Sequence, residues 1–273
     1  MKNLFKSEIY KLRISSAFRF FAICVLASAI VGVLVVQMLG DVIGEIPQEL
    51  LDRTITDGMY NFGVIQFHDT SELQNIDSGI VISFAFRNLF PLVFVAIFIS
   101  LYVIKEFEYG GIRNFFLKGF SRKRVFISKY AVLMGAVAAT ICVYFFGYCI
   151  ATVFIFGMPG TDNINIARIL AFLAIQIFLY ISFASICFML AILIRRNLVI
   201  FINASMVVMG TMTLNMIMVL TNGQLDLSTY WILTYIAKQT PTDINYIFLA
   251  VGTITLTVST VLAIKKFEYI ELK

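Results

Sequence analysis

Six long apolar stretches, separated by polar segments, dominate the pattern of hydrophobic and polar positions along the chain. Each is long enough to cross about 30 Å of hydrocarbon as an α-helix that rises 1.5 Å per residue. None carries an acidic side chain, a basic side chain or a histidine near its middle. We therefore predict an all-α membrane protein with six transmembrane helices at 20–39, 80–104, 130–157, 166–194, 198–221 and 244–264.

The segment before the first span, residues 1–17, predicts an N-terminal interfacial helix. Phe5, Ile9, Leu12 and Ser16 recur at helical spacing, with basic side chains beside them. A helix with one apolar and one basic face is typical of a segment that lies on the inner leaflet.

The polar segment between the second and third spans, residues 105–129, predicts a short helix held between two breaks. Gly110-Gly111 interrupts the helix that arrives from the second span. Residues 112–117 can form a short helix with an apolar face, and Gly119 ends it. Ser121 is a suitable N-cap for the helix that enters the third span.

Two further loops, 40–79 and 222–243, are predicted to lie on the opposite side of the membrane. The first is acidic, and the second contains an apolar segment around Trp231 that ends at Pro241. That segment is too short to cross the bilayer, so we expect it to be interfacial or re-entrant. The spans and loops together form a single transmembrane domain, residues 1–273.

The amino-acid composition also indicates a membrane protein. Hydrophobic residues make up 60% of the chain, mean hydropathy is +0.91, and charged residues are only 14%. A soluble domain carries roughly a quarter of charged residues. No length remains for a separate soluble catalytic domain.

The distribution of positive charge predicts the orientation. With six spans, all but four of the 21 lysines and arginines lie on the side of the N-terminus; the exceptions are Arg53, Arg87, Arg168 and Lys238. The positive-inside rule therefore predicts cytoplasmic N and C termini in a cell membrane. The basic face suits anionic lipid, so we expect the lipid bilayer and no nucleic acid as its partner.

The motifs of energy conversion and catalysis are missing. The sequence contains no G-x-x-x-x-G-K-[ST], no H-E-x-x-H and no G-x-S-x-G, and its one histidine is His68. The spans lack the carboxylates that ion-driven carriers use. We predict no catalytic residue, no metal site and no cofactor bound by this chain, and we expect a cytosolic partner to supply energy.

The fifth span combines uncharged polar residues with methionines. Flexible thioethers adapt to varied apolar partners, which would suit a path for an amphipathic substrate. Ordinary helix packing explains the same residues and stays open as an alternative. The residues of this possible substrate path are Asn203, Met206, Met209, Met212, Asn215 and Met216.

The inner loop reads E-F-E-x-G-G-I-R-N, followed by S-R-K-R-x-x-x-x-K. With the six spans and the N-terminal helix, it resembles the permease subunits of ABC-2 type transporters, and most closely the bacitracin-export and lantibiotic-immunity type. The resemblance covers the whole chain, but its specific part is short: Glu106, Glu108, Gly110, Gly111, Arg113, Ser121, Arg122 and Lys129.

The resemblance implies that the inner loop is a coupling helix that docks on a separate cytosolic ABC ATPase, which binds ATP and Mg²⁺. It implies a second permease copy or paralogue in a complex of the prokaryotic plasma membrane. It also implies outward export of an antimicrobial peptide, antibiotic or lipid, and therefore a role in antibiotic resistance or lantibiotic immunity. The implied coupling residues are Glu106, Glu108, Gly110, Gly111, Arg113, Phe115, Phe116, Ser121 and Arg122.

Two other classes remain as alternatives. The first is a non-transporting sensor or immunity scaffold that binds a cationic peptide through its acidic outer loops. The second, an intramembrane enzyme, is disfavoured because no span holds a nucleophile–base pair or a metal-ligand set.

Overall fold

The computed structural model describes the greater part of the chain. The described residues are 2–44, 60–62, 65–67, 81–82, 84–86, 88–109, 111–157, 166–220, 232–233, 236 and 247–269. Within these ranges, side chains are not described at 2–3, 39–44, 60–62, 65–67, 112–114, 166 and 211–220.

Helices make up nearly all of the described structure. In chain order they are α1 (Lys2–Ile14), α2 (Ser16–Gly44), α3 (Phe90–Glu108), α4 (Gly111–Leu117), α5 (Arg122–Phe156), α6 (Ile166–Ile194), α7 (Leu198–Leu220) and α8 (Ile247–Glu268). A short antiparallel hairpin, β1 (Tyr60–Phe62) with β2 (Ile65–Phe67), lies between α2 and α3. The sequence did not predict this hairpin, which falls in the 40–79 loop.

Within the described residues, five helices are long and apolar enough to cross a membrane, which confirms a multi-pass membrane protein. They are α2 as far as Met38, α3, α5, α6 from Ala167 and α8. In α7 the apolar part with described side chains is the shorter Leu198–Gly210. The count of six spans and the direction of the termini stay predictions.

The second span was predicted to begin at 80, but α3 begins at Phe90. Its start is fixed by Asn88, whose side-chain oxygen accepts a hydrogen bond from the Phe90 backbone N–H at 3.0 Å. Pro91 in the first turn needs no such partner. The apolar residues just before α3 are buried and include a turn at 84–86. Residues 81–82 are helical, so the turn at 84–86 separates them from α3. Hydropathy could not show this interruption.

Other helices extend past the predicted hydrocarbon region into charged sequence. The third span was expected from 130, but α5 begins at Arg122; α3 and α8 run on to Glu108 and Glu268. Ser121 does stand at the N-cap of α5 with extended backbone, but its hydroxyl makes no capping hydrogen bond. These extensions carry the charged side chains that meet at one end of the bundle.

The N-terminal helix is present as α1, and the face that packs on the bundle differs in part from the apolar face predicted to meet the membrane. The buried face carries Leu4, Glu8 and Leu12, while Ile9 is exposed. Ser16 belongs to α2. This face packs against α5 and α2, and it combines two leucines with the carboxylate of Glu8.

Aromatic rings and small residues hold the bundle together. Phe21 of α2 stacks on Phe98 of α3 with ring centroids 4.5 Å apart. The α6–α8 pair is close enough that a Cβ at Gly252 would lie 2.5 Å from the Phe178 ring. Ser185 and Ser259 share a hydrogen bond of 2.5 Å at the same interface.

The segment 222–243 contributes to the core. Ile232, Leu233 and Ile236 are helical and buried. The Gln176 amide of α6 donates a hydrogen bond of 3.0 Å to the Ile236 carbonyl. This part of 222–243 packs into the bundle, whereas Trp231 and Pro241 lie outside the described residues.

Candidate functional site

One end of the bundle, here called the basic end, collects the charged segments of the chain. It is formed by α1, α4, the last turns of α3 and α8, the first turns of α5 and the α6–α7 connection. Lys123 lies 3.2 Å from the Glu268 carboxylate, and Arg122 donates a hydrogen bond to the Glu268 carbonyl. Arg195 lies 5.7 Å above the Phe107 ring. The segments predicted to share one side of the membrane therefore meet at one end of the fold.

Four charged side chains, here called the ionic cluster, lie at the centre of the basic end. They are Glu8 and Lys11 of α1, Glu106 of α3 and Lys129 of α5. Lys129 Nζ donates to both carboxylate oxygens of Glu8, at 3.0 and 3.1 Å, and to Glu106 Oε2 at 2.7 Å. Lys11 Nζ lies 3.4 Å from Glu106 Oε1 and 3.5 Å from Glu8 Oε1. Two carboxylates and two ammonium groups thus form a closed, neutral set.

Burial makes these contacts costly to break. Glu8 is 1% exposed and Lys129 is 5% exposed, so neither charge can turn to water without moving a helix. A buried charge is tolerated only with a partner, and removal of one partner costs about 3–5 kcal/mol. The buried Tyr102 hydroxyl lies beside the Glu8 carboxylate.

The short helix α4 is attached to the ionic cluster through Phe115. Lys11 Nζ lies 4.4 Å, and Lys129 Nζ 5.3 Å, from the centre of the Phe115 ring. Ammonium groups at these distances are attracted by the face of an aromatic ring. The predicted coupling residue Phe115 is therefore buried, and it faces the bundle rather than the exterior.

The neighbouring Phe116 connects α4 to the last helix. Its ring packs against Phe267 of α8 at 6.3 Å, and the Arg122 guanidinium lies 5.6 Å from its centre. Phe267 also packs against Phe126 of α5 at 5.5 Å. Together, Phe115 and Phe116 join α4 to α1, α5 and α8.

Gly111, the first residue of α4, is in close contact with the ionic cluster. A Cβ at this position would lie 2.5 Å from Glu106 Oε2, the oxygen that accepts the short hydrogen bond from Lys129. The glycine therefore allows the carboxylate of Glu106 to stand beside the α4 backbone.

The remaining predicted coupling residues are less closely involved. Glu108 is exposed in the last turn of α3 and makes no ion pair with another described residue. Arg113 lies in α4, but its side chain is outside the description, as is the whole of Gly110. Ser121 is exposed at the start of α5.

Sequence reasoning missed Glu8 and Lys11, and it did not include Lys129 among the coupling residues. A signal for Glu8 was available: it is the one acidic residue among the basic residues of the first 40 positions. An isolated acid on a basic interfacial helix indicates an internal partner, because lipid headgroups and cytosolic anions would repel it. Lys11 carries no comparable signal among its basic neighbours.

The residues of the proposed substrate path differ in how deeply they are buried. Asn203 is fully buried, and its amide donates to the Ser100 hydroxyl at 2.8 Å and to the Cys187 carbonyl at 3.2 Å. Met206 is half-buried and Met209 is 64% exposed. The side chains of Met212, Asn215 and Met216 lie outside the description. Helix packing thus explains the amide nitrogen of Asn203, whereas its buried oxygen has no hydrogen-bond partner among the described residues. The path stays a prediction.

The ionic cluster joins three helices of the bundle. Its carboxylates are held by ammonium groups, and no group of three histidine, cysteine or acidic side chains within the described part of the chain could hold a metal ion. A neutral buried cluster that joins α1, α3 and α5 fixes the relative positions of these helices.

No protein-family model matches the chain, and a search of curated proteins finds no match. The resemblance to ABC-2 permeases therefore rests on the loop motif, the span pattern and the N-terminal helix.

Proposed function

We propose that the chain is the permease subunit of an ABC-2 type exporter that moves an amphipathic or hydrophobic substrate outward. The observation that carries the proposal is the attachment of α4, a short helix between two spanning helices, to a buried ionic cluster. In this proposal α4 is the coupling helix, and a separate ATPase subunit hydrolyses ATP with Mg²⁺. The basic end faces the cytoplasm of a prokaryotic cell.

A coupling helix has to pass a displacement to the membrane helices. Phe115 contacts Lys11 of α1 and Lys129 of α5. Phe116 packs against Phe267 of α8, so α4 contacts three other helices. The Glu106–Lys129 pair joins the two spanning helices on either side of the loop. A push on α4 would therefore shift α1, α3, α5 and α8 together rather than bend a loose loop.

The outward side of α4 offers a surface for a partner. Leu117 is a large apolar side chain that is 75% exposed. Lys118 and residues 121–124, which include Arg122, Lys123 and Arg124, are exposed beside it. An exposed apolar side chain with a basic rim suits a partner cleft with an apolar floor and acidic edges. The absence of a P-loop from the sequence agrees with an ATPase on another chain.

The test is co-purification of the full-length, affinity-tagged protein from its native cells in mild detergent. We expect a soluble protein with a Walker motif and measurable ATPase activity to be retained. The Leu117→Asp variant should reduce the retained ATPase roughly tenfold, because a charge in an apolar contact costs more than 1.4 kcal/mol.

A matched control is Lys266→Gln, which changes the net charge equally at an exposed site on the last turn of α8. It should retain the ATPase, and both variants should unfold at the wild-type temperature. Absence of any ATPase from the wild-type preparation contradicts the proposal. An associated ATPase without substrate efflux in proteoliposomes would instead favour the sensor alternative.

A further inference from the structure

A cavity of about 370 Å³ opens at the basic end between α1 and the last turn of α3. Tyr10 and Ile14 line it from α1, and Lys105 and Tyr109 line it from α3 and the residue that follows. The ring of Tyr102 is buried at its inner side. The cavity is separate from the exposed side of α4, so a ligand there would leave Leu117 free.

The charges around the cavity favour an anion. Lys11 and Glu106 also line it, but they belong to the neutral ionic cluster. Lys105 is exposed and makes no ion pair with any other described residue. Among the lining residues, its ammonium is therefore the one charge outside the neutral ionic cluster. Lys6 and Arg13 are exposed on the same helix as Tyr10, and Glu108 is exposed one turn beyond Lys105 without lining the cavity.

The other residues that line the cavity favour a lipid over a dissolved anion as the ligand. Most of the cavity wall is apolar, formed by aromatic rings and Ile14. Tyr10 and Tyr109 are exposed, and tyrosines at the end of a spanning helix sit at headgroup depth, where the ring contacts glycerol and acyl carbons and the hydroxyl contacts the headgroup. A free phosphate would make no favourable contact with the apolar wall. A phospholipid would contact the apolar wall with its glycerol and acyl carbons and the tyrosine hydroxyls with its headgroup.

We propose that this cavity is a binding site for an anionic phospholipid, with its phosphate at Lys105 and its glycerol region between α1 and α3. Tyr10 and Tyr109 donate hydroxyl hydrogen bonds to the headgroup, and Ile14 packs on the upper acyl carbons. The bound lipid would join α1 to the end of α3 on the side away from Lys129. This inference does not depend on the proposed transport function.

The test is native mass spectrometry of the full-length protein titrated with phosphatidylglycerol or phosphatidylcholine. The wild-type protein should retain phosphatidylglycerol preferentially. Lys105→Gln should weaken retention of phosphatidylglycerol about fivefold, the effect of one lysine near an anionic lipid. Lys105→Arg should retain it, because the charge is kept.

Lys266→Gln is the matched control, with the same change of charge at an exposed site of the basic end. Equal losses in the two glutamine variants, or no loss in either, would overturn the site. Equal retention of the two lipids by the wild-type protein would overturn its preference for an anion. If inorganic phosphate at the lipid concentration displaces phosphatidylglycerol, the ligand is a dissolved anion, and the lipid assignment is wrong.

Discussion

Lys129 Nζ lies 3.0 Å from Glu8 Oε2, and this contact joins two residues that are 121 positions apart in the sequence. The same ammonium donates to Glu106, so one lysine holds α1 and α3 against α5. The N-terminal helix is therefore bound to the spanning helices by a buried ion pair as well as by Leu4 and Leu12. Its position depends on charge pairing rather than on lipid alone.

Lys129→Met should lower the free energy of unfolding by about 3 kcal/mol. The methionine fills a similar volume but leaves the carboxylates of Glu8 and Glu106 short of a partner, and an unpaired buried charge costs about 3–5 kcal/mol. Thermal unfolding of the purified protein in detergent measures the change. The Glu8→Gln/Lys129→Met double variant should recover part of the loss, since one of the two orphaned charges is removed.

The control for this prediction is Lys266→Gln, an exposed lysine near the basic end, which should change the free energy by less than about 0.5 kcal/mol. If Lys129→Met unfolds like this control, the ion pair is not formed in the membrane protein.

Much of the helical architecture could be predicted from hydrophobic periodicity and length. The first and fourth spans, and the short helix at 112–117, agree closely with α2, α6 and α4. The start of the second span was predicted wrongly, because a buried apolar turn at 84–86 separates α3 from the helical residues 81–82. A hydropathy pattern reports burial, and it does not report whether the buried backbone is helical.

The site was predicted less completely than the fold. The loop motif included Glu106 and Gly111. These two residues are so close that a Cβ added at Gly111 would lie 2.5 Å from Glu106 Oε2. Glu8 was not identified, because its partner Lys129 is distant in sequence and long-range pairing cannot be inferred from local spacing. The side of α1 that packs on α5, which carries Glu8, was not predicted for the same reason.

Gly111→Ala should weaken the ionic cluster. The added methyl group would lie 2.5 Å from Glu106 Oε2, so the carboxylate has to leave its 2.7 Å hydrogen bond with Lys129. We expect a loss of about 1–3 kcal/mol in the free energy of unfolding, the range for a forced displacement in a packed site. In a Glu106→Gln background the same change should cost less, because the charged contact is already lost.

Gly135→Ala is the matched control for this change. Gly135 is helical, and a Cβ there would meet nothing within 4 Å. Alanine is the better helix former by about 1 kcal/mol, so this variant should be as stable as the wild type or more stable. A Gly111→Ala variant that behaves like Gly135→Ala would contradict the close approach of Glu106.

Gly252→Ala should separate α8 from α6. Its methyl group would lie 2.5 Å from Cε1 of Phe178 and 3.3 Å from two further ring carbons. Overpacking of this kind costs about 1–3 kcal/mol, and small residues are what allow membrane helices to approach closely. Phe178→Leu in the same chain should restore much of the stability by giving the methyl group room. If the double variant is no more stable than Gly252→Ala, the clash lies elsewhere.

Asn203→Leu should lower stability by about 0.5–1.5 kcal/mol, the range for a hydrogen bond between membrane helices. The change removes the 2.8 Å bond to Ser100 and the bond to the Cys187 carbonyl, both inside the bundle. Met209→Ala removes an exposed side chain and should change stability by less than about 0.5 kcal/mol. Thermal unfolding and substrate efflux, measured on the same preparations, separate the two roles of this helix. Packing alone predicts that efflux follows stability in both variants, whereas a substrate path predicts that Met209→Ala impairs efflux while the protein stays as stable as the wild type.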